Sequence, residues 1–259
     1  MIRFGQYLPG KSPLHALDPR TKTAAVLVLS AAVLSGGPTS CALVSALLLG
    51  VAVLGRIPAR ELISALKPGL FFLALLFALH LLFTEGTPIP PFSGGWVTPT
   101  FEGLHTGALV TWRFALLLGE GALLTMTTSP GRLVSGLEWF LRPLNALGLR
   151  SHELALMVSL ALRFVPTLLE EVHKVKDAQI ARGAVFGRGA PLRRIRAVSR
   201  LVLPVVLGAF RRADDLAMAM EARGYSGAPR SHLEELRITG KDMAAGVVVV
   251  GIAVVVMAG

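Results

Sequence analysis

The chain of 259 residues is 53% hydrophobic and only 16% charged, and its mean hydropathy is +0.63. Soluble domains normally contain about 25% charged residues, so this composition excludes most water-soluble classes and favours an integral membrane protein. Lys and Arg number 26 against 16 Asp and Glu, which gives a net charge of +10, and the single cysteine, Cys41, excludes both an intrachain disulfide and a cysteine-based metal site.

Five apolar runs approach the roughly 20 residues that a helix needs to cross the hydrocarbon core. They cover residues 21–37, 40–55, 68–84, 104–126 and 243–259. The first two are separated by Gly36-Gly37-Pro38-Thr39, which is typical of a tight turn. We therefore expect an all-α protein with about five transmembrane helices: a four-span bundle at 1–126, a cytoplasmic region at 127–242 and a last span at 243–259.

Basic residues are distributed unequally between the connecting segments. Residues 1–22 contain four Lys or Arg and the predicted 56–67 loop contains three, whereas residues 85–103 contain none. The positive-inside rule then places the N-terminus and the 56–67 loop in the cytoplasm and the 85–103 loop outside. Residues 127–242 hold 18 basic and 11 acidic residues, so we expect this region of a multi-pass protein of the cytoplasmic membrane to be cytoplasmic.

The 127–242 region is predicted to form three helices. Ser129-Pro130 is a favourable helix start, and the amphipathic segment after it suits the membrane surface. A second helix from Ser151 to Arg182 has an apolar first half and a polar second half, so we expect it to begin against the membrane and project inward. A third, from about 192 to 223, is amphipathic with a basic face and should be kinked by Pro204. Anionic lipid headgroups account for that basic face, so no nucleic-acid partner is expected.

The two long helices are predicted to end in the same triplet, 41 residues apart. The six residues are Ala181, Arg182, Gly183, Ala222, Arg223 and Gly224. Arg-Gly once is an ordinary helix ending, because glycine takes the left-handed terminal position and the helix dipole favours a cation. Its repetition favours a function: alanine leaves the helix tip narrow enough to enter a groove on another protein, where the guanidinium can make paired hydrogen bonds with a carboxylate. Two such tips suit a dimeric partner with two equivalent grooves.

These residues resemble the transmembrane T component of energy-coupling factor (ECF) transporters, a family that includes the cobalt-type and nickel-type permease subunits. The resemblance covers nearly the whole chain and is carried by residues 12–22, by Leu162-Arg163-Phe164-Val165-Pro166 and by both triplets. It implies a scaffold that joins two cytoplasmic ABC-type ATPases, identical or different, to a membrane S component that captures a vitamin or transition-metal ion.

By the same resemblance, Arg182 and Arg223 each dock into one ATPase. The two long helices would cross near the membrane and transmit closure of the ATPases to the S component. No arrangement of Ser, His and Asp, of paired carboxylates or of His-rich metal ligands stands out in the sequence, so we expect no catalytic residue, cofactor or metal site. By the resemblance, ATP hydrolysis takes place on the partner subunits.

Residues 5–12 match the phosphate-loop pattern GxxxxGK[ST]. A phosphate loop must follow a buried strand and open a helix, yet only four residues precede Gly5 and Pro13 follows Ser12. We therefore expect no nucleotide site here. We expect Asp18 instead to cap the first span and Pro19 to begin it.

Arg113, Glu120 and His80 lie within predicted spans and form a candidate intramembrane polar network. Arg113 and Glu120 are seven residues apart and share one helix face, too far apart for a short direct salt bridge. Ionisable groups in spans usually face the protein interior, so we favour a structural role over contact with an S component. The alternative function is a membrane-embedded enzyme that acts on a lipid-like substrate with these three residues in its site. A self-contained transporter is disfavoured by the few polar residues in the spans and the absence of internal repeats.

Overall fold

The computed structural model of the chain describes residues 10, 12–87, 99–141, 143, 151–184, 191–225 and 239–258. Nine α-helices lie in these residues: α1 Pro13–Ala16, α2 Pro19–Ser35, α3 Pro38–Leu54, α4 Ala59–Phe83, α5 Phe101–Thr127, α6 Pro130–Leu141, α7 Ser151–Ala181, α8 Pro191–Ala222 and α9 Gly240–Ala258. The chain divides into two compact units, one formed by Met1–Trp139 with Glu235–Gly259 and the other by Phe140–Glu234.

The all-α fold is confirmed, and most helices follow local sequence signals. Asp18 caps α2 as expected, because its Oδ1 accepts a hydrogen bond from the Arg20 N–H at 2.8 Å and Pro19 is the first helical residue. Helix α6 begins at Pro130, as the Ser-Pro signal predicted. Helices α7 and α8 each continue through an internal proline, Pro166 and Pro204.

The predicted 56–67 loop is wrong from Ala59 onward. Helix α4 begins directly after Pro58, whose carbonyl accepts the Glu61 N–H at 2.9 Å, and it runs through Pro68 to Phe83. Proline lacks only one backbone N–H, so an internal proline removes one hydrogen bond without necessarily ending a helix. Pro68 therefore looked like a helix start, whereas it lies in the middle of α4.

The first unit is centred on a small apolar core. Its buried members are Leu29, Val33, Cys41, Val44, Leu116 and Val249, from helices α2, α3, α5 and α9. Helix α4 packs along α5. Gly103 and Gly107 of α5 have GxxxG spacing and face α4. A Cβ atom at Gly103 would lie 2.6 Å from the carbonyl oxygen of His80, so only glycine permits this close backbone approach.

Hydrogen bonds join neighbouring helix termini at both ends of α5. At one end, the Lys22 Nζ at the start of α2 donates to the Thr127 carbonyl at the end of α5. The Asp18 N–H donates to Asp242 in the first turn of α9 at the same end. At the other end, the Thr100 hydroxyl before α5 donates to the Thr84 carbonyl after α4 at 2.8 Å. The start of α2, the end of α5 and the start of α9 therefore lie together, and the end of α4 lies beside the start of α5.

Helices α4 and α5 are long and apolar enough to cross a membrane, and α3 is a shorter apolar helix. Large apolar side chains point outward from this unit: Phe71 is 80% exposed and Val247 is 72% exposed. Water would disfavour such a surface, whereas lipid accommodates it. The described helices are those of an integral membrane protein, and the count of five spans stays a prediction.

Candidate functional site

The end of α7 forms a Schellman motif around the first triplet. The Gly183 N–H donates to the Ile180 carbonyl and the Ala184 N–H donates to the Gln179 carbonyl, both at 2.9 Å. Gly183 has a φ of +85°, in the left-handed region that this motif requires and that glycine adopts without strain. The motif stops the helix directly after Arg182.

The end of α8 has the same geometry around the second triplet. The Gly224 N–H donates to the Glu221 carbonyl and the Tyr225 N–H donates to the Met220 carbonyl, again at 2.9 Å each. Gly224 has a φ of +77°. The repeated sequence thus corresponds to a repeated three-dimensional structure, in which an arginine occupies the last position before the left-handed glycine.

All six triplet residues are exposed. Neither Arg182 nor Arg223 has a side-chain hydrogen bond or ion pair with any residue that the structure describes. The flanking alanines keep both tips narrow. Within the described part of the chain, each guanidinium therefore keeps its five N–H donors available, and a carboxylate is the acceptor that matches its planar geometry.

The three ionisable residues of the spans have separate partners. An Arg113 guanidinium nitrogen donates to the Gly36 carbonyl in the turn between α2 and α3. The Ser30 hydroxyl donates to Glu120 Oε2 at 2.7 Å, and Glu120 is 1% exposed. The ring of His80 bonds the Leu76 carbonyl of its own helix at 3.0 Å. Among the described residues, these three side chains do not form one hydrogen-bonded site.

An apolar cavity of about 450 Å³ lies between α1, α2, α3, α5 and α9. Glu120 lines it, but Arg113 and His80 are not among its described lining residues. The remaining lining is almost entirely aliphatic, with Lys22 and Lys241 also present. The described part of the chain also contains no group of three His, Cys, Asp or Glu residues able to hold a metal ion. The phosphate-loop match at 5–12 lies largely outside the described residues; of it, Gly10 is described and Ser12 precedes α1.

A polar cluster that the sequence analysis missed joins the helix ends of the first unit. Asp242 is 2% exposed and accepts three hydrogen bonds: from the Asp18 N–H at 2.7 Å, from the Thr239 N–H at 2.8 Å and from the Thr239 hydroxyl at 2.6 Å. Nearby, Lys22 Nζ donates to the Thr127 carbonyl at 3.1 Å and the Thr128 hydroxyl at 3.3 Å. Thr239-x-x-Asp242 before an apolar run resembles a capping box, so the sequence did contain a signal for this cap.

Asp242 precedes the predicted span 243–259 by one residue. Burial raises the pKa of its carboxyl, but the Thr239 hydrogen bonds, the Asp18 N–H and the positive charge of Lys22 lower it more. The net pKa lies below the usual value of an aspartate. The carboxylate therefore stays ionised and links α2 to α9.

The described helices are apolar on the outside of the first unit, and the second unit carries two helices that end in the same exposed triplet. The family model described as cobalt transport protein, CbiQ, matches residues 10–233. The chain belongs to this family of transporter membrane components, and the resemblance found from its sequence is confirmed.

Three relatives share the name energy-coupling factor transporter transmembrane protein EcfT. The protein of Thermosediminibacter oceani is 41% identical over 94% of this chain and 92% of its own length. That of Heliobacterium modesticaldum is 41% identical over 98% and 96%. That of Bacillus subtilis is 42% identical over 92% and 91%.

Proposed function

We propose that this chain is the T component of an ECF-type importer. It joins two cytoplasmic ABC-type ATPases to a membrane S component that captures a vitamin or transition-metal ion. One observation carries the proposal: α7 and α8 end in the same Schellman motif, and each motif exposes an arginine without a described partner. Two equal docking points fit a dimer of ATPases, and the names of the relatives agree with this role.

Each arginine tip enters a groove of one ATPase, where its guanidinium binds a carboxylate. The Schellman motif ends each helix abruptly, so nothing helical continues beyond the arginine to obstruct the groove. Movement of the two ATPases during ATP binding then displaces the tips of α7 and α8. Helices of 31 and 32 residues are stiff enough to carry this displacement over about 45 Å.

The S component contacts apolar surface on this chain. In the second unit, Leu203 and Phe210 of α8 and Met157 of α7 are more than half exposed. Amphipathic helices bury such faces against lipid or a partner. ATP is hydrolysed on the partner ATPases, and the N-terminus and the 127–242 region face the cytoplasm with them.

The alternative of a membrane-embedded enzyme has less support. It needs Arg113, Glu120 and His80 in one site, but each has a different partner, and only Glu120 lines the apolar cavity. The purified chain alone should therefore show no turnover of lipid-like substrates that depends on Glu120.

The proposal is tested by purifying the tagged full chain from its native membranes and identifying the proteins that accompany it. We expect two ABC-type ATPase subunits and a small membrane protein. The Arg182→Glu/Arg223→Glu variant should insert normally but lose the ATPases, because two carboxylates would then repel each other in each groove.

The Lys176→Glu/Arg211→Glu variant is the matched control, since it makes the same change in charge at exposed positions of α7 and α8. It should retain the ATPases. Equal recovery of ATPases with the arginine-tip variant and with wild type would refute the docking role, as would equal loss in both double variants.

A further inference from the structure

Helices α7 and α8 are joined by an ion pair that lies well before their tips. An Arg212 guanidinium nitrogen on α8 is 2.8 Å from Glu171 Oε2 on α7. The two side chains are 37% and 21% exposed, respectively. The pair is therefore partly shielded from water and connects the helices that carry Arg182 and Arg223.

The ion pair connects equivalent positions of the two helices. Glu171 precedes Arg182 by eleven residues, and Arg212 precedes Arg223 by eleven residues. Eleven helical residues span about three turns and about 16 Å. Arg212 follows Glu171 by 41 residues, which is also the separation of the two triplets. The two helical segments that run from this contact to the tips, here called the arms, are therefore equally long.

Gly208 makes room for this contact. A Cβ atom at Gly208 would lie 2.4 Å from Glu171 Oε1 and 3.3 Å from its Cδ. Gly208 also precedes Arg212 by four residues, so both lie on the same face of α8. The missing side chain allows the Glu171 carboxylate to lie against α8 where the Arg212 guanidinium reaches it.

We propose that Glu171, Gly208 and Arg212 are positioning residues, here called the register clamp. They hold the two arginine tips at equal distances from the contact between α7 and α8. A partly exposed ion pair contributes little to overall stability. A sliding of one helix past the other by one turn, about 5.4 Å, however, would separate the charges and make the arms unequal. What the tips bind rests on the proposed function, but the clamp is a property of this chain alone.

The clamp is tested by measuring the distance between the two arms in the full chain. Ala178 and Ala219 are exposed and each precedes its arginine by four residues, so Ala178→Cys and Ala219→Cys place spin labels at equivalent sites in a Cys41→Ala background. Pulsed electron–electron double resonance on the wild-type contact in nanodiscs should give one narrow distribution of the distance between the two labels. In Glu171→Gln or Arg212→Gln, the population at the native distance should fall about fivefold relative to the population at displaced distances. This is the factor expected for an ion pair of this exposure.

The neighbouring residues supply matched controls. Glu170→Gln and Arg211→Gln make the same chemical changes at exposed positions of the same helices and should leave the distribution narrow. The Glu171→Gln/Arg212→Gln variant should match either single variant, because removing one partner already breaks the pair. Gly208→Ala should broaden the distribution through displacement of the Glu171 carboxylate.

Unchanged distributions in both single variants would overturn the clamp, and additive broadening in the double variant would show that the two residues act independently and would also overturn it. The proposed function fails separately. If the distance distributions of the clamp variants broaden while Arg182→Glu/Arg223→Glu still binds the ATPases, the docking role is wrong and the clamp stands.

Discussion

The substitution Asp242→Asn removes the charge from the cluster that joins α2 to α9. An asparagine can accept hydrogen bonds only through its one oxygen. If that oxygen keeps the two bonds from Thr239, the amide NH₂ faces the Asp18 N–H, which is itself a donor. The substitution therefore removes one charge-assisted hydrogen bond and leaves a buried N–H without an acceptor.

The magnitude follows from these contacts. An unsatisfied buried donor costs about 1–3 kcal/mol, and the remaining bonds weaken when their acceptor becomes neutral. We expect the free energy of unfolding to fall by about 2–3 kcal/mol. Asp215→Asn is the matched control, because Asp215 is exposed on α8, and a surface change of this kind stays within about 0.5 kcal/mol.

The effect should also depend on pH. Because the pKa of Asp242 is lower in the folded protein than in the unfolded chain, its stabilising contribution is fully present above the unfolded value of about 3.9. The contribution is lost as the pH falls through the folded pKa. The difference between wild type and Asp242→Asn should therefore be constant from about pH 5 to 8 and shrink below about pH 4.

Thermal or denaturant unfolding in detergent, followed by size-exclusion chromatography, measures this difference at each pH. Equal stability of Asp242→Asn and Asp215→Asn at neutral pH would refute the assigned role of the buried carboxylate. A difference that grows on acidification would refute the direction of the pKa shift.

Three further predictions concern other contacts. Gly103→Leu should separate α4 from α5, because its side chain would meet the His80 carbonyl, and the variant should be lost from the folded peak in detergent chromatography. Lys22→Met should lower the free energy of unfolding by about 1–3 kcal/mol, since two buried acceptors lose their donor; an unchanged melting temperature would contradict this. Gly183→Ala and Gly224→Ala should each strain the left-handed helix end by about 1 kcal/mol and weaken ATPase binding while the chain stays folded, as a binding titration of each variant would show.

Local signals in the sequence predicted most of the helices. Ser129-Pro130 marked the start of α6, and the glycines of the two triplets marked the ends of α7 and α8, because capping depends on only a few neighbouring residues. Pro68 misled the prediction for the same reason: a local rule does not reveal that the helix on both sides of it is maintained by packing of α4 along α5.

Contacts between distant residues could not be predicted in this way. Asp18 and Asp242 are 224 positions apart, and nothing in either segment indicates the other. The partner of Arg113 is a backbone carbonyl, that of Gly36, and every residue offers such a group, so side-chain patterns carry no signal for it. The candidate docking site was visible in the sequence because it is local and repeated, whereas the ion pair between Glu171 and Arg212 required the packing of α7 against α8.

The docking of two equivalent arginine tips is tested most directly by titrating the purified ATPase dimer onto the chain in nanodiscs. Wild type, Arg182→Glu, Arg223→Glu and the double variant are compared with Lys176→Glu/Arg211→Glu. Two-point binding predicts that each single variant loses affinity by about 10²-fold or more, because the second contact is no longer intramolecular, and that the double variant does not bind. Wild-type affinity in the double variant, or a loss confined to one arginine, would contradict coupling through two equal points.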